Sequence, residues 1–111
     1  MKVRELAQKL NLRLFAGEDG LEREISGVYI GDLLSRVMSN SESGSAWITI
    51  HTHVNIVAVA SLNELSCIII PEGIEPEENT LDKAVAESIP ILGKKVSSYS
   101  LACRIYELGI K

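Results

Sequence analysis

The sequence predicts a single α/β domain in which helices cover the faces of a mostly parallel sheet. Short apolar runs rich in Ile and Val alternate with amphipathic segments, which gives about five strands and five helices. The 111 residues form one domain, 1–111, that is long enough to bury a core without disulfides or metals. Hydrophobic residues make up 46% of the chain and aromatic residues only 5%, so aliphatic side chains must build that core.

The N-terminal part predicts helix, strand, strand and helix in that order. Helical spacing of apolar residues indicates a helix over residues 2–10, and a short strand follows over 12–15. A second strand is predicted over 25–30. Asp32 is then a suitable N-cap, because its carboxylate can accept from the first N–H groups of a helix over 33–38.

The middle of the chain predicts a strand, a crossover helix and a strand. Residues 46–50 and 67–70 are the two strands. The apolar run over 53–62 has no clear periodicity, and its Val and Ile content favours a strand. Parallel strands, however, need a crossover of a dozen or more residues, usually a helix, and residues 51–66 have that length. We therefore predict a helix that is buried almost all round.

The C-terminal part predicts two further helices and one strand. Pro76 suits the first turn of a helix, where its missing N–H costs nothing. The residues expected on its inward face are Leu81, Ala84, Val85 and Ser88. Residues 89–92 enter the last strand, and Ser97 or Ser98 caps a final helix that runs to Leu108.

Charge and composition exclude several classes of protein. The net charge of −4 argues against nucleic-acid binding, which needs a basic surface. The first ten residues carry charges throughout and lack the apolar region of a signal peptide, and no apolar run approaches the roughly 20 residues of a membrane helix. We therefore expect a cytoplasmic protein that does not bind membranes. Cys67 and Cys103 lie among apolar residues and are predicted to be unpaired.

Two long stretches resemble DRTGG-domain proteins, including the N-terminal domain of HPr kinase/phosphorylase. They are MKVRELAQKLNLRLFAGEDGLEREISGVYIGDLLSRVMSN and WITIHTHVNIVAVASLNELSCIIIPEGIEPEENTLDKAVAESIPIL. The resemblance runs from Val3 to Leu108. It implies a three-layer α/β/α sandwich with a mixed sheet, and an accessory module without a settled activity of its own.

The chain departs from that family in two places. The Thr-Gly-Gly of the family name corresponds here to Pro71-Glu72-Gly73, in which only Gly73 fits. The phosphate-binding string G-x-x-x-x-G-K-[ST] of the kinase domain is absent. Kinase or phosphorylase activity is therefore not inherited.

The predicted ligand site lies where the parallel strands end. His51, Thr52 and His53 follow one strand and precede a helix, a position that attracts anions. Gly31 with Asp32, and Glu72 with Gly73, follow the neighbouring strands and complete the site. A structural interpretation stays open, in which Thr52 and Asp32 cap helices and the histidines bond to loop carbonyls.

Other polar groups carry weaker hypotheses. The acidic loop formed by Glu72, Glu75, Glu77 and Glu78 would repel a phosphate and suit a cation or a basic partner. The segment Lys94, Lys95, Ser97, Ser98 and Tyr99 could instead hold one phosphate. Two histidines fall short of the four ligands of a closed zinc site, so neither a metal nor a cofactor is predicted.

The leading hypothesis is a non-catalytic regulatory module that acts by self-association, as a homodimer or larger homo-oligomer, and by binding a partner protein. The alternative is a sensor of a small anion or nucleotide at the edge formed by Gly31, Asp32, His51–His53 and Glu72–Gly73. A third hypothesis, an enzyme that uses His51 or His53 as an acid-base group, has no nucleophile motif to support it.

Overall fold

The computed structural model describes all 111 residues and contains one five-stranded sheet. Its strands are β1 (Arg13–Ala16), β2 (Gly27–Ile30), β3 (Ser45–Ile48), β4 (Cys67–Ile70) and β5 (Ile91–Gly93). They lie in the order β1-β5-β4-β3-β2. Strands β2 to β5 are parallel and β1 pairs antiparallel with β5, which confirms the mixed, mostly parallel sheet.

Five α-helices pack around the sheet, and three of them lie between consecutive strands. The five helices are α1 (Val3–Leu10), α2 (Leu34–Asn40), α3 (Asn55–Leu62), α4 (Glu78–Glu87) and α5 (Ser98–Glu107), with a short 3-10 helix over Glu18–Gly20. None of them combines the length and the apolar character that a membrane crossing would need.

Two hydrophobic clusters show that the helices cover both faces of the sheet. Alternate residues of each strand point to opposite faces, so β4 sends Cys67 and Ile69 to one side and Ile68 and Ile70 to the other. Helices α1 and α5 pack on the first face, and α2, α3 and α4 contribute to the cluster on the second. The predicted three-layer α/β/α sandwich is confirmed.

The crossover between β3 and β4 is the helix expected from the parallel pairing. Helix α3 begins at Asn55, two residues later than predicted, and ends at Leu62 as predicted. It lies between α2 and α4, which explains why its sequence is apolar over more than one face. Ala58 and Leu62 still face solvent, so the helix is not buried all round.

The fourth helix differs from its prediction. It begins at Glu78 rather than in the turn of Pro76, and the backbone carbonyl of Glu77 accepts its first hydrogen bonds. Val85 was expected to face inward, but 61% of it is exposed. Thr80 is fully buried instead, and its hydroxyl is satisfied there because it donates to the backbone carbonyl of Thr52 at 2.6 Å. The prediction of Ser97 as the cap of α5 is confirmed, since its Oγ accepts from the N–H of Ser100.

Gly17 marks a close approach between two backbone segments. Its φ is +85°, a conformation that side chains disfavour. A Cβ at this position would lie 2.0 Å from the carbonyl oxygen of Ile89. Only glycine allows the turn after β1 to pack against the segment that enters β5.

Candidate functional site

The carboxyl ends of the parallel strands form one edge of the sheet. Because β2, β3 and β4 run in the same direction, the segments Gly31–Asp32, His51–His53 and Glu72–Gly73 follow them at that edge in the order of the strands. The chain after β5, which begins at Lys94, leaves from the same edge. The structure therefore places all seven predicted site residues along one side of the molecule.

Asp32 joins β2 to β3 rather than capping α2. Its Oδ1 accepts from the hydroxyl of Thr49 at 2.8 Å and from the N–H of Ile50 at 3.0 Å. The residue at the start of α2 is Leu33, without a side-chain cap. The predicted cap is wrong because two donors of the neighbouring strand end reach the carboxylate instead. Gly31 is fixed in the same way, since its carbonyl accepts from the indole N–H of Trp47 at 2.8 Å.

The two histidines have separate structural partners. The Nε2 of His51 contacts the backbone carbonyl of Asp32. The Nδ1 of His53 accepts from the N–H of Asn55 at 3.2 Å, at the first residue of α3. The cap that was considered for Thr52 is therefore supplied by His53. Thr52 faces the other way, and its hydroxyl donates to Oε2 of Glu77 at 3.4 Å.

The segment after β4 associates with the segment after β5. The N–H of Glu72 donates to the carbonyl of Val96 at 2.8 Å, and the N–H of Gly73 donates to the carbonyl of Lys94 at 3.4 Å. Both Glu72 and Gly73 have positive φ, so the chain reverses sharply here. The predicted site is thus divided into two groups. The Asp32–His51 group consists of residues that follow β2 and β3, and the Gly73–Lys94 group consists of residues that follow β4 and β5.

Of these two groups, only the Gly73–Lys94 group borders a cavity. No cavity is lined by Gly31, Asp32, His51, Thr52, His53 or Glu72. Gly73, in contrast, lines a cavity of about 270 Å³. Its other lining residues are Arg13, Phe15, Ile74, Glu75, Gly93, Lys94 and Lys95. The hydrogen bonds of the Asp32–His51 group hold strand ends together. The Gly73–Lys94 group borders a space that a ligand could enter.

The solved structure of a bacterial regulatory region resembles this chain. It contains the CBS and DRTGG domains of Clostridium perfringens pyrophosphatase, complexed with the activator diadenosine tetraphosphate. The TM-score is 0.73 over 92% of this chain, with 14% sequence identity. The fold is DRTGG-like. The match covers 44% of the chain of that structure, so this chain spans less than half of its length.

Sequence comparisons add nothing to this structural likeness. No protein-family model matches the sequence, and no curated protein is significantly similar to it. The fold expected from the resemblance is confirmed by structure, at a level of identity that carries the fold alone.

The DRTGG-like chain does not assemble a reactive centre around its cysteines. Burial raises the pKa of the Cys67 thiol to about 12, so the thiol stays protonated and is a poor nucleophile. Cys103 is half-buried, and both cysteines are unpaired, as predicted. The hydroxyl of Tyr99 hydrogen-bonds Cys103, which raises the pKa of Tyr99. No group of three or more His, Cys, Asp or Glu side chains could hold a metal ion.

Sequence inspection missed the basic character of the Gly73 cavity. The sequence pairs Lys94 with Lys95, but nothing in it connects Arg13 and Phe15 with these lysines. Arg13 and Phe15 come from β1, and only the antiparallel pairing of Arg13 with Gly93 brings them to this edge. A local motif could not reveal that pairing, because the two strands lie near opposite ends of the chain.

Proposed function

We propose that this chain is a non-catalytic regulatory module that acts by self-association and by binding a partner protein. The fold it shares with part of a pyrophosphatase regulatory region supports a regulatory role. The single observation that carries self-association is an exposed apolar surface beside an open strand edge.

Three large apolar side chains form this surface, here called the Leu33 patch. Ile30 is 49% exposed, Leu33 64% and Ile50 49%. They lie close together because the carboxylate of Asp32, between Ile30 and Leu33 in sequence, accepts from the N–H of Ile50. Exposed apolar side chains that lie near one another can serve as a protein contact surface.

The strand beneath the patch has a free edge. β2 is the last strand of the sheet and pairs only with β3. Unpaired N–H and C=O groups of an edge strand can pair with another chain. Two copies that meet with their β2 edges would join their sheets and cover both Leu33 patches. A partner protein that presents an apolar strand of its own would use the same surface.

Introducing a charge into the patch is expected to weaken self-association. Leu33→Glu places a carboxylate in an interface that is otherwise apolar, and we expect the dissociation constant of the oligomer to rise about tenfold or more. Light scattering across a concentration series measures this. Leu62→Glu is the matched control, because Leu62 is equally exposed, at 68%, but lies at the end of α3. An unaltered chain that stays monomeric at high concentration would refute self-association.

A second candidate function is the sensing of a small anion or nucleotide. The observation that favours it is the activator bound to the pyrophosphatase regulatory region of similar fold, diadenosine tetraphosphate. Among the residues proposed to contact such a ligand, namely Gly31, Asp32, His51, Thr52, His53, Glu72 and Gly73, the geometry favours the Gly73 end. His51 and His53 already hold partners within the chain.

Sensing predicts that a nucleotide stabilises the folded chain. Ligands that bind only the native state raise the thermal midpoint by mass action, by about 10 °C for a ligand at about 100 times its dissociation constant. Thermal unfolding with a panel of mono- and dinucleotides at about 1 mM tests this. A midpoint that stays constant across the panel would count against nucleotide sensing. Equal responses of the unaltered chain and of His51→Ala and His53→Ala would place the site away from the histidines.

A further inference from the structure

The cavity beside Gly73 lies between three cationic side chains. Arg13 reaches it from β1, and Lys94 and Lys95 follow β5 directly. The only acidic side chain in its lining is Glu75. The cavity is therefore locally basic although the whole chain carries a net charge of −4.

None of these three cations is firmly engaged. Arg13 approaches Glu75 at 3.8 Å, and both side chains are about two-thirds exposed, so their ion pair is weak. The Nζ of Lys94 donates to the carbonyl of Asn11 at a long 3.4 Å. Lys95 makes neither an ion pair nor a side-chain hydrogen bond. All three can turn toward an anion without losing a strong interaction.

Two backbone N–H groups of residues that line the cavity are unpaired. Gly93 lies against the ring of Phe15, where a Cβ would come within 2.5 Å of the ring, and Gly73 has a φ of +74°. The backbone N–H groups of Lys95 and Glu75 donate to no acceptor in the protein. The space beside the two glycines is filled by Phe15 and by the stem of Lys95. The two free N–H groups suit a ligand that is recognised partly through the backbone.

Phe15 orients the arginine. The guanidinium carbon of Arg13 lies 4.6 Å above the centre of the Phe15 ring. An arginine held over an aromatic face keeps the N–H groups of its edge available for bidentate contact with phosphate oxygens. Arg13 thus supplies a directional donor and the two lysines supply mobile point charges.

We propose that this cavity binds the diphosphate group of a small phosphorylated ligand. Three cations match the charge of two linked phosphoryl groups better than that of one, and about 270 Å³ accommodates a group of that size. Because the pair between Arg13 and Glu75 is weak, Arg13 can leave Glu75 when the anion enters. The site gives a ligand class and a location to the proposed sensing role, and its regulatory meaning rests on that role.

Titration of the full chain with inorganic pyrophosphate tests the site by isothermal titration calorimetry at low salt. We expect one equivalent to bind with a dissociation constant below about 1 mM. Arg13→Gln and Lys95→Gln should each weaken binding about tenfold, because each removes one charge-assisted contact. Glu75→Gln should strengthen binding severalfold, since it removes both the repulsion and the competitor for Arg13.

Arg36→Gln is the matched control for charge. Arg36 is an exposed residue of α2, the helix that follows the strand at the opposite edge of the sheet. Equal weakening by Arg36→Gln and Lys95→Gln would overturn the site, because it would show general attraction only. Absence of binding at about 5 mM pyrophosphate, or weaker binding by Glu75→Gln, would also overturn it.

The same samples separate the site from its role. If pyrophosphate binds with the expected pattern of variants but nucleotides leave the thermal midpoint unchanged, the site stands and nucleotide sensing fails. If nucleotides raise the thermal midpoint while pyrophosphate does not bind, sensing stands and this cavity is overturned as its location.

Discussion

Replacement of Trp47 by alanine is expected to lower the free energy of unfolding by about 3 to 5 kcal/mol. Trp47 lies fully buried in β3, in the hydrophobic cluster that contains Ile56 and Ile68. Truncation leaves a large cavity between the sheet and α3, and it also removes the hydrogen bond from the indole N–H to Gly31. This loss is comparable to the whole stability of many domains of this size.

Chemical denaturation followed by circular dichroism measures this loss. Trp47→Phe separates the two contributions, since it keeps much of the volume but leaves the carbonyl of Gly31 without its donor. Tyr99→Ala is the surface control, because Tyr99 is 79% exposed. This substitution should change the free energy of unfolding by less than about 0.5 kcal/mol. A loss below about 1 kcal/mol for Trp47→Ala would contradict the central position of this residue.

The second large effect is expected for Gly17→Ala. A methyl group at this position meets the carbonyl of Ile89 at 2.0 Å, and backbone atoms cannot move aside as a flexible side chain can. The positive φ adds about 1 to 2 kcal/mol, and overpacking adds about 1 to 3 kcal/mol. The free energy of unfolding should therefore fall by about 2 to 5 kcal/mol.

Gly109→Ala isolates the contribution of the clash. Gly109 also has a positive φ, +95°, but no atom lies within 4 Å of the place where its Cβ would be. Gly109→Ala should therefore lower the free energy of unfolding only by the cost of the backbone conformation, about 1 to 2 kcal/mol. Equal losses for the two variants would show that the turn after β1 does not pack against the segment before β5 as described.

The fold was predictable where one constraint excluded the alternatives. The segment of α3 could have formed a strand by composition, but the parallel pairing of β3 and β4 required a helix between them. Predictions failed where a tertiary partner replaced a local preference. Asp32 is a good helix cap by residue type, yet Thr49 and Ile50 reach its carboxylate, and neither is near it in sequence.

The candidate site was predictable only in outline. Parallel strands place His51 and Gly73 at one edge, and the sequence was sufficient for that inference. Which residues of the edge stay free of internal partners depends on individual hydrogen bonds. The histidines are engaged, whereas Lys95 is not. Arg13 lines the cavity because β1 pairs with β5, and no sequence pattern near Arg13 predicts that pairing.

The antiparallel strand β1 has a consequence for the order in which the chain can fold. Arg13 pairs with Gly93, and α1 packs in the same cluster as Leu101 and Ile105 of α5. During synthesis the N-terminal segment therefore emerges before β5 and α5, so part of its apolar face stays uncovered until they are made. Contacts between distant parts of a chain slow folding and lengthen exposure to aggregation. Strands β2, β3 and β4 can pair before β5 is made, whereas β1 has no strand to pair with until β5 is present.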